Sequence, residues 1–366
     1  MKSIGIITTS HAINYGAVLQ AYALLQAVKS ATTADVEIIN YCGNQQVAGR
    51  CIYRKCNRVK NILFNIIIFA NWKYKIQRKK IIEVFDEFKR EKLCITGNLL
   101  KNKKEIEDSF KYDIMICGSD QIWNMNLFQD DIYFLRFEDK FPDIKYISYG
   151  ASVAEKMSIV QERKFLENIQ HFDAISIREK ETAMMVEQLS KKNVAAVVDP
   201  VYLLTREQWV SFANESQMVL KGEYVLIFMI GHTDTDQVII DKLCGKSDVK
   251  KVIINLHPIM YWKGDIYVSD ASPIDFVSLI KNASFIITDS FHATSFSIIF
   301  NKEFYSIRRS TRNSRIENLF QIFSIPNRYV EANCDIKRSE LNYNDINNNI
   351  AVCRKKSLEY LYNALE

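Results

Sequence analysis

One segment near residue 290 combines groups that can bind an anion and move a proton. The apolar run 285–288 stops at Asp289, and a helical pattern begins two or three residues later. Backbone amides at such a helix start, together with the hydroxyls of Ser290 and Thr294, suit an anion. His292 adds an imidazole, which can carry a proton near neutral pH. The segment predicts an anion site with an acid–base group, although a lone histidine can also serve packing alone.

Four arginines follow the next predicted strand and add positive charge to the same edge. They are Arg308, Arg309, Arg312 and Arg315. A guanidinium group binds phosphate or carboxylate through parallel hydrogen bonds. We expect Arg308 and Arg315 to contact the anion, while solvated surface positions are the alternative for some of the four.

Two loops in the N-terminal half can bind a sugar. In residues 8–16, Asn14 and Tyr15 can hydrogen-bond a sugar or a phosphate near a helix start, although an ordinary capped turn would use the same residues. The second loop follows the apolar run 114–117. It contains three polar residues, Ser119, Asp120 and Gln121, beside Trp123. This set is typical of a carbohydrate site, and the alternative is a tight turn with Trp123 in the core.

Arg178 ends another short apolar run, at the point where a helical pattern begins. Its planar guanidinium suits a carboxylate or a phosphate. Charge pairing with Glu179 or Glu181 at the helix start is the competing interpretation.

Several motifs that would indicate other chemistry are incomplete. Gly245-Lys246-Ser247 matches the end of a P-loop, but Ile240 stands where the first glycine belongs. No G-x-G-x-x-G is present, which argues against a dinucleotide, and the histidines lack H-x-x-x-H spacing. Asp234 and Asp236 stand where a helix needs an N-cap, which favours a cap over a metal site. We therefore expect no metal and no cofactor.

The candidate loops follow strands in a chain that alternates strands with helices. Strand patterns cover 3–8, 35–41, 112–117, 145–149, 174–177, 194–198, 224–230, 251–256, 285–288 and 304–307, and the helical patterns include 16–29, 180–189, 236–243, 292–300 and 316–323. The alternation predicts an α/β class with two doubly wound Rossmann-like domains facing a cleft. Ligands of such sheets bind beyond the carboxyl ends of the strands. We place an N-terminal domain at 1–200, a C-terminal domain at 201–345 and a helix at 346–366 that packs back across the domains.

The composition is that of a globular protein. The 366 residues are 48% hydrophobic and 25% charged, with only 11 glycines and 5 prolines, which excludes disordered and collagen-like chains. Eight cysteines include no C-x-x-C pair, which argues against a thiolate zinc site and for a reducing compartment. The longest apolar stretch, 62–70, is too short to span a bilayer, and no signal-peptide pattern opens the chain. These features predict a soluble, cytoplasmic protein.

Positive charge is concentrated between residues 50 and 92. This segment has 13 lysines and arginines against four acidic residues, so its net charge of +9 leaves −4 for the remaining chain. Aromatic and aliphatic residues interleave with the charges, so the segment can lie on an anionic membrane surface or receive a polyanionic or lipid-linked substrate. The alternative is an insertion that packs on its domain with solvated lysines. No nucleic-acid module accompanies it, and no nucleic-acid partner is expected.

The candidate loops, taken in order, resemble the polysaccharide pyruvyl transferase family from about residue 3 to about residue 325. The segments that carry the resemblance are Asn14-Tyr15-Gly16, Gly118-Ser119-Asp120-Gln121-Ile122-Trp123-Asn124, Ser148-Tyr149-Gly150-Ala151-Ser152, Ser176-Ile177-Arg178-Glu179-Lys180-Glu181, Asp199-Pro200 and Thr288-Asp289-Ser290-Phe291-His292-Ala293-Thr294. Ala17 stands where many members have a second glycine, so the local shape of that turn can differ.

The resemblance implies a GT-B-like fold, phosphoenolpyruvate (PEP) as co-substrate and a pyruvate ketal on a sugar of a cell-surface polysaccharide, free or lipid-linked. It implies His292 and Arg178 as catalytic residues. The donor side would comprise Ser290, Ala293, Thr294, Arg308 and Arg315, and the acceptor side Asn14, Tyr15, Ser119, Asp120 and Gln121. A sugar-nucleotide glycosyltransferase of the same fold is the first alternative, and a non-catalytic scaffold of polysaccharide assembly is the second. The enzyme would work in the cytoplasm, including the inner face of the membrane.

Overall fold

In the computed structural model of the protein, the described residues are 2–53, 56, 59–127, 131–155, 157–245, 249–256, 261–309, 313–331 and 340–366. The strands are β1 (Ser3–Ile7), β2 (Asp35–Tyr41), β3 (Ile95–Leu100), β4 (Ile114–Cys117), β5 (Lys145–Ser148), β6 (Ile175–Ile177), β7 (Val194–Ala196), β8 (Tyr224–Phe228), β9 (Lys250–Ile254), β10 (Ile266–Val268), β11 (Phe285–Thr288), β12 (Glu303–Ile307) and β13 (Tyr329–Val330). The α-helices are α1 (Tyr15–Ala31), α2 (Asn44–Arg50), α3 (Val59–Ala70), α4 (Trp72–Lys92), α5 (Lys103–Asp108), α6 (Ile159–Asn168), α7 (Lys180–Ser190), α8 (Arg206–Ala213), α9 (Asp236–Cys244), α10 (Pro273–Asn282), α11 (Phe291–Ile299), α12 (Ser314–Ile322) and α13 (Tyr343–Leu365). Two 3₁₀ turns cover Asp131–Phe134 and Pro200–Tyr202.

The chain divides into two compact units. The first consists of residues 1–49, 89–204 and 350–366, and the second of residues 50–88 and 205–349. Residues 50–88 therefore count with the second unit, whereas the sequence placed the basic insertion in the N-terminal domain. Asp199-Pro200 lies inside the first unit, where the Asp199 carboxylate accepts the Val201 N–H at 3.1 Å and caps the second 3₁₀ turn.

A parallel sheet of order β3-β2-β1-β4-β5 forms the centre of the first unit. In the middle strand, Ile6 lies opposite Ile38 of β2 and Ile116 of β4. Two further parallel bridges link the β5 edge to the β6–β7 pair. The strands read as continuous apolar runs because helices cover both faces of such a sheet. The strand order reverses between β1 and β4, so the loops after these two strands flank the point where doubly wound sheets bind ligands.

The second unit repeats this topology with a parallel sheet of order β10-β9-β8-β11-β12-β13. Ile227 of β8 lies opposite Ile253 of β9 and Ile287 of β11. Here the order reverses between β8 and β11, and the loops after these strands flank the second unit's ligand-binding point. The predicted fold class, an α/β protein with two doubly wound parallel sheets, is confirmed.

Local sequence signals set the starts of two of these helices, α1 and α10. The Asn14 side chain caps α1 by accepting the Ala17 N–H at 3.3 Å. Ser272 and Asp275 form a reciprocal capping box at α10, with Pro273 in the first turn. In the described part of the chain, no helix is both long and apolar enough to cross a bilayer.

Candidate functional site

In the second unit, Asp289 ties together the two loops at the switch point. Its carboxylate accepts the Ile230 N–H at 2.6 Å and the Gly231 N–H at 2.9 Å. The Thr288 hydroxyl donates to the Phe228 carbonyl at 2.5 Å and holds the ends of β8 and β11 together. A protein carboxylate therefore occupies the amides that follow β8. These two amides are therefore not open to another anion.

Arg309 forms the centre of a buried charge network behind this junction. Its Nε donates to Asp289 at 2.6 Å, and its Nη1 lies 3.1 Å from both carboxylate oxygens of Asp236. Its Nη2 donates to the Gly231 carbonyl at 2.9 Å. One guanidinium thus joins the loops after β8 and β11 to its own segment after β12, which a lysine could not do. Arg309 therefore holds the junction together, and the carboxylates of Asp236 and Asp289 compensate its positive charge.

The start of α11 carries the predicted donor residues and His292. The Ser290 hydroxyl accepts the Ala293 N–H at 3.4 Å as the helix cap. His292 lies in the first turn, 7% exposed, and its ring packs edge-on against Phe291 with centroids 5.0 Å apart. The Thr294 hydroxyl differs from the prediction because it lies inside the unit, 3.4 Å from the Ser306 hydroxyl. Thr294 therefore joins α11 to β12 and does not converge with Ser290.

Of the predicted arginines, Arg315 lies beside this helix start. Its guanidinium carbon is 5.5 Å from the centre of the Phe291 ring, the same ring that packs against His292. Phe291 therefore brings a cation and an imidazole into one neighbourhood. Arg308 instead donates to Glu317 at 2.8 Å and stacks on Tyr329, so its charge is matched at the surface. Arg312 lies outside the described residues.

In the first unit, Gln20 links the two loops at the switch point. Its Nε2 donates to the Thr8 hydroxyl at 2.8 Å, and its Oε1 accepts the Ser119 N–H at 3.0 Å. The Ser119 hydroxyl donates to the Gly150 carbonyl at 2.8 Å. Ser119 is fully buried, so it shapes the loop through these bonds. Gln20 was missed because a glutamine inside a helical pattern gives no local signal of such a link.

The other predicted acceptor residues divide into exposed and buried ones. Asn14 is exposed and caps α1, and Asp120 and Gln121 are partly exposed in the loop after β4. Tyr15 is buried with 1% exposure, so its side chain is packed in the unit. Trp123 is fully buried and stacks on Phe134 at 5.6 Å, so the core alternative for this tryptophan is correct.

Arg178 is a buried partner of acidic side chains of its own unit. Its Nη1 donates to Asp199 at 2.5 Å, and its Nε lies 3.8 Å from Glu179, which also accepts the Ser152 hydroxyl. Burial alone would lower the pKa of the guanidinium, but the carboxylates of Asp199, Glu179 and Asp120 outweigh it and raise that pKa. The structure therefore favours the charge-pairing interpretation, with Asp199 as a partner that the sequence analysis did not name.

A polar cluster beside β1 was also missed. His11 Nε2 lies 2.9 Å from Asn40 Oδ1, and its Nδ1 lies 3.3 Å from the buried ammonium of Lys89. Because an ammonium can only donate a hydrogen bond, His11 Nδ1 must accept one from Lys89. The ring proton is then on Nε2, which donates a hydrogen bond to the Asn40 side-chain oxygen. In the described part of the molecule, the neighbouring Thr9 and Ser10 hydroxyls are buried without a hydrogen-bond partner. The residues of this cluster come from three separate segments of the chain, so no local sequence motif predicts it.

The described residues contain no group of three or more histidine, cysteine or acidic side chains placed to hold a metal ion. The two switch points thus offer hydrogen bonds, charge and one imidazole. In the second unit, the start of α11 has the amides and the imidazole that suit anion binding and proton transfer. In the first unit, considered by itself, the loop after β4 has polar side chains that can hydrogen-bond hydroxyl groups.

Sequence and structure comparisons give the following relatives. A family profile described as polysaccharide pyruvyl transferase matches residues 14–311. The fold is similar to that of UDP-GlcNAc 2-epimerase from Methanocaldococcus jannaschii, with 12% identity, TM-score 0.51, and coverage of 96% of this chain and 92% of that one. The Neisseria meningitidis UDP-GlcNAc 2-epimerase gives 12% identity, TM-score 0.50, and coverage of 98% and 100%. No curated protein matches the sequence. At 12% sequence identity, the likeness to these two structures shows the fold alone.

Proposed function

This chain belongs to the polysaccharide pyruvyl transferase family, and from that premise we propose that it moves the pyruvyl group of PEP onto two hydroxyls of one sugar. The product is a cyclic pyruvate ketal on a polysaccharide or its precursor, and the second product is inorganic phosphate. The proposed reaction uses no cofactor, because PEP itself carries the activated pyruvyl group.

The proposed reaction needs one proton donor and one anion site. The methylene carbon of PEP takes a proton, which makes its second carbon an oxocarbenium-like centre. One sugar hydroxyl adds to that carbon and loses its proton, and the phosphate leaves with its bridging oxygen. A second hydroxyl of the same sugar then adds to the carbon and closes the ring, and its proton passes to the released phosphate. The enzyme must therefore handle protons at the enol carbon and hold the phosphate as its charge grows.

One observation carries the proposal: Phe291 contacts both the His292 imidazole and the Arg315 guanidinium at the start of α11. The amide-rich helix start and a cation suit the phosphate and carboxylate of PEP. His292 lies in the same turn and is our candidate for the proton transfer. We assign the holding of the leaving phosphate to Arg315 because it lies beside the start of α11, whereas Arg178 lies in the first unit, where it pairs with Asp199.

For the acceptor, we propose the loop after β4 in the first unit. Asp120 and Gln121 are partly exposed there and can accept and donate hydrogen bonds to sugar hydroxyls. Asn14, Tyr15 and Ser119 support the loop and the neighbouring helix start. Arg178 acts as a positioning residue through its ion pairs with Asp199 and Glu179.

The first experiment tests the donor without requiring the acceptor. We expect PEP to raise the melting temperature of the protein, and Arg315→Gln to abolish that rise. The matched control is Arg163→Gln, an exposed arginine of α6 in the first unit, which should keep it. UDP-N-acetylglucosamine serves as the competing donor. Stabilisation by this nucleotide and none by PEP would overturn the proposal in favour of a glycosyltransferase.

The second experiment tests the catalytic residue. The wild-type protein is incubated with PEP and lipid-linked oligosaccharides, and mass spectrometry follows the mass gain of a pyruvate ketal together with phosphate release. We expect His292→Gln to lower the transfer rate about 100-fold or more, within the range of general acid–base catalysis, while PEP still raises the melting temperature. The control His171→Gln changes a histidine that contacts Tyr146 and Phe172 in the first unit and should retain transfer. Near wild-type transfer by His292→Gln excludes the proposed role.

A further inference from the structure

We propose that α3 is a docking helix that inserts its outward face into an anionic lipid surface. The inference rests on the second unit alone and is independent of the proposed transfer reaction. Its basis is a helix whose apolar residues face the solvent, followed by a cationic turn.

The polarity of α3 is the reverse of that of an ordinary surface helix. Its exposed apolar residues are Val59, Ile62, Leu63, Ile66, Ile67 and Phe69. At about 100° per residue, these positions share one arc of about 160°. The opposite arc contains Asn61, Phe64 and Asn65, which are half-buried, and Ile68, which is fully buried. A surface helix normally turns its polar residues to water and its apolar residues inward.

The size of this apolar face sets it apart from scattered exposed residues. Phe69 is 74% exposed and Ile66 is 60% exposed, and both lie on the same arc of a twelve-residue helix. The sequence has no charged residue between Lys60 and Lys73, so nothing interrupts the face. Contiguous exposed apolar surface of this kind marks an interaction site.

The residues that follow α3 indicate an anionic lipid surface as the occupant. Trp72, at the start of α4, is 61% exposed, and a tryptophan at the end of an apolar helix suits the level of lipid headgroups. The Lys75 ammonium lies 5.2 Å from the centre of the Phe69 ring and donates to the Phe69 carbonyl, which places a positive charge at the edge of the apolar face. Lys73 is exposed beside Trp72. Apolar insertion flanked by cations is the pattern of helices that lie in the membrane interface.

The downstream cations contribute less to this surface. Lys80 is paired with Asp270, and Lys79 lies 3.9 Å from Glu83. At twelve residues, α3 is also too short to cross a bilayer. The proposed contact is therefore interfacial, with α3 lying along the surface and Lys73 and Lys75 facing anionic headgroups.

The protein contains its own reporter for this contact. Of its four tryptophans, Trp123, Trp209 and Trp262 are buried, so Trp72 is the one that vesicles can reach. On adding vesicles of phosphatidylcholine with phosphatidylglycerol, we expect a blue shift of tryptophan emission and weaker quenching by acrylamide. The variant Trp72→Phe should lose both changes while still binding. Unchanged emission of the wild-type protein on these vesicles would overturn the proposal.

Vesicle co-sedimentation then separates the apolar contribution from the charges. The double variant Ile66→Asp/Phe69→Asp should bind the anionic vesicles at least tenfold more weakly. Its matched control, Ile159→Asp/Val160→Asp, introduces the same charges at two exposed aliphatic residues of α6 and should bind as the wild type does. Each of Lys73→Gln and Lys75→Gln should weaken binding on the order of fivefold. Equal loss in both double variants would contradict the assignment to α3.

A second copy of the chain is the competing occupant of this face. Analytical ultracentrifugation distinguishes the two: a dimer that Ile66→Asp/Phe69→Asp converts to a monomer, without vesicle binding by the wild type, would replace our proposal. Because the altered residues are exposed, the double variant should keep the melting temperature of the wild type. PEP-dependent stabilisation should also remain, so failure here and failure of the proposed reaction are distinguishable.

Discussion

The Arg178 guanidinium donates to the Asp199 carboxylate at 2.5 Å, and the two side chains are 5% and 0% exposed. Both belong to the first unit, at the ends of neighbouring strands β6 and β7. A buried cation with its counter-ion is costly to separate, because the remaining charge has no water to solvate it. The pair therefore fixes the loop that continues into Glu179 and, through Glu179, the Ser152 hydroxyl.

The change Asp199→Asn removes the counter-ion and keeps the oxygen that accepts the Val201 N–H. We expect it to lower the unfolding free energy of the first unit by about 3–5 kcal/mol, the usual result of breaking one half of a buried pair. Urea unfolding, followed by circular dichroism, measures the loss.

The control for this prediction is Asp86→Asn. Asp86 also contacts an arginine at 2.5 Å, but Asp86 and Arg50 have exposed fractions of 41% and 21%. Solvent-exposed pairs contribute about 0–1 kcal/mol. Similar losses in the two variants would show that burial of Arg178 does not govern the stability of this loop.

The central strands of both sheets and the edge strand β5 could be predicted from the sequence, whereas the edge strands β3, β10 and β13 could not. β1, β4, β8 and β11 are runs of four or five residues dominated by apolar side chains, because both faces of a central parallel strand are covered. β3 contains Gly97 and Asn98, and β13 is two residues long, so neither shows a strand pattern. The helix α3 was not predicted either, because its apolar face points to water and its buried face contains asparagines.

The sequence predicts where the candidate site residues lie in the fold, and it predicts only some of their hydrogen-bond and charge partners. Asp289, Ser290 and His292 follow an apolar strand, so the rule that ligands bind at the carboxyl ends of strands locates them. The pairing of Arg309 with Asp236 joins residues 73 positions apart, and that of Arg178 with Asp199 joins residues 21 apart. Such pairings depend on how strands and loops are arranged in space, and one sequence has no local pattern for them.

The variant Arg309→Lys tests whether the planar guanidinium of Arg309 holds together the loops that follow β8 and β11 in the second unit. A lysine cannot reach Asp289, Asp236 and the Gly231 carbonyl together, so two buried carboxylates lose part of their compensation. We expect a loss of about 2–4 kcal/mol in the unfolding free energy of this unit and a smaller PEP-induced rise in melting temperature. Calorimetry with and without PEP measures both quantities.

A matched lysine substitution at the neighbouring position provides the control for Arg309→Lys. Arg308 makes a surface contact with Glu317, and lysine can replace it there, so Arg308→Lys should change the unfolding free energy by less than about 1 kcal/mol. If Arg309→Lys unfolds like the wild type, the network around Asp236 and Asp289 does not stabilise the junction.

The variant Gly118→Ala tests the tight turn that carries the proposed acceptor loop. Gly118 has a φ of +144°, and a Cβ there would lie 2.0 Å from the Tyr149 carbonyl oxygen, so the backbone has to move. We expect a loss of about 2 kcal/mol or more in unfolding free energy, from strain and from weakening of the Ser119–Gln20 bond. Thermal unfolding measures it. Gly49→Ala in α2, where a Cβ meets nothing within 4 Å, is the control and should be neutral or stabilising.

The cysteines should differ in their reaction with iodoacetamide, because the thiolate is the reacting form. Burial raises the pKa of the Cys244 thiol to about 11, so only about one thiol in a thousand is ionised at pH 8. Its alkylation rate should rise about tenfold per unit between pH 8 and pH 10, since both values lie below that pKa. Burial also raises the pKa of the Cys117 thiol, and this fully buried thiol should stay unmodified in the folded protein, whereas the exposed Cys51 should react first of the three at pH 8. Peptide mass spectrometry measures the three rates, and in urea, where burial is lost, they should converge. Equal rates for Cys244 and Cys51 at pH 8 without denaturant would show that α9 does not shield its thiol.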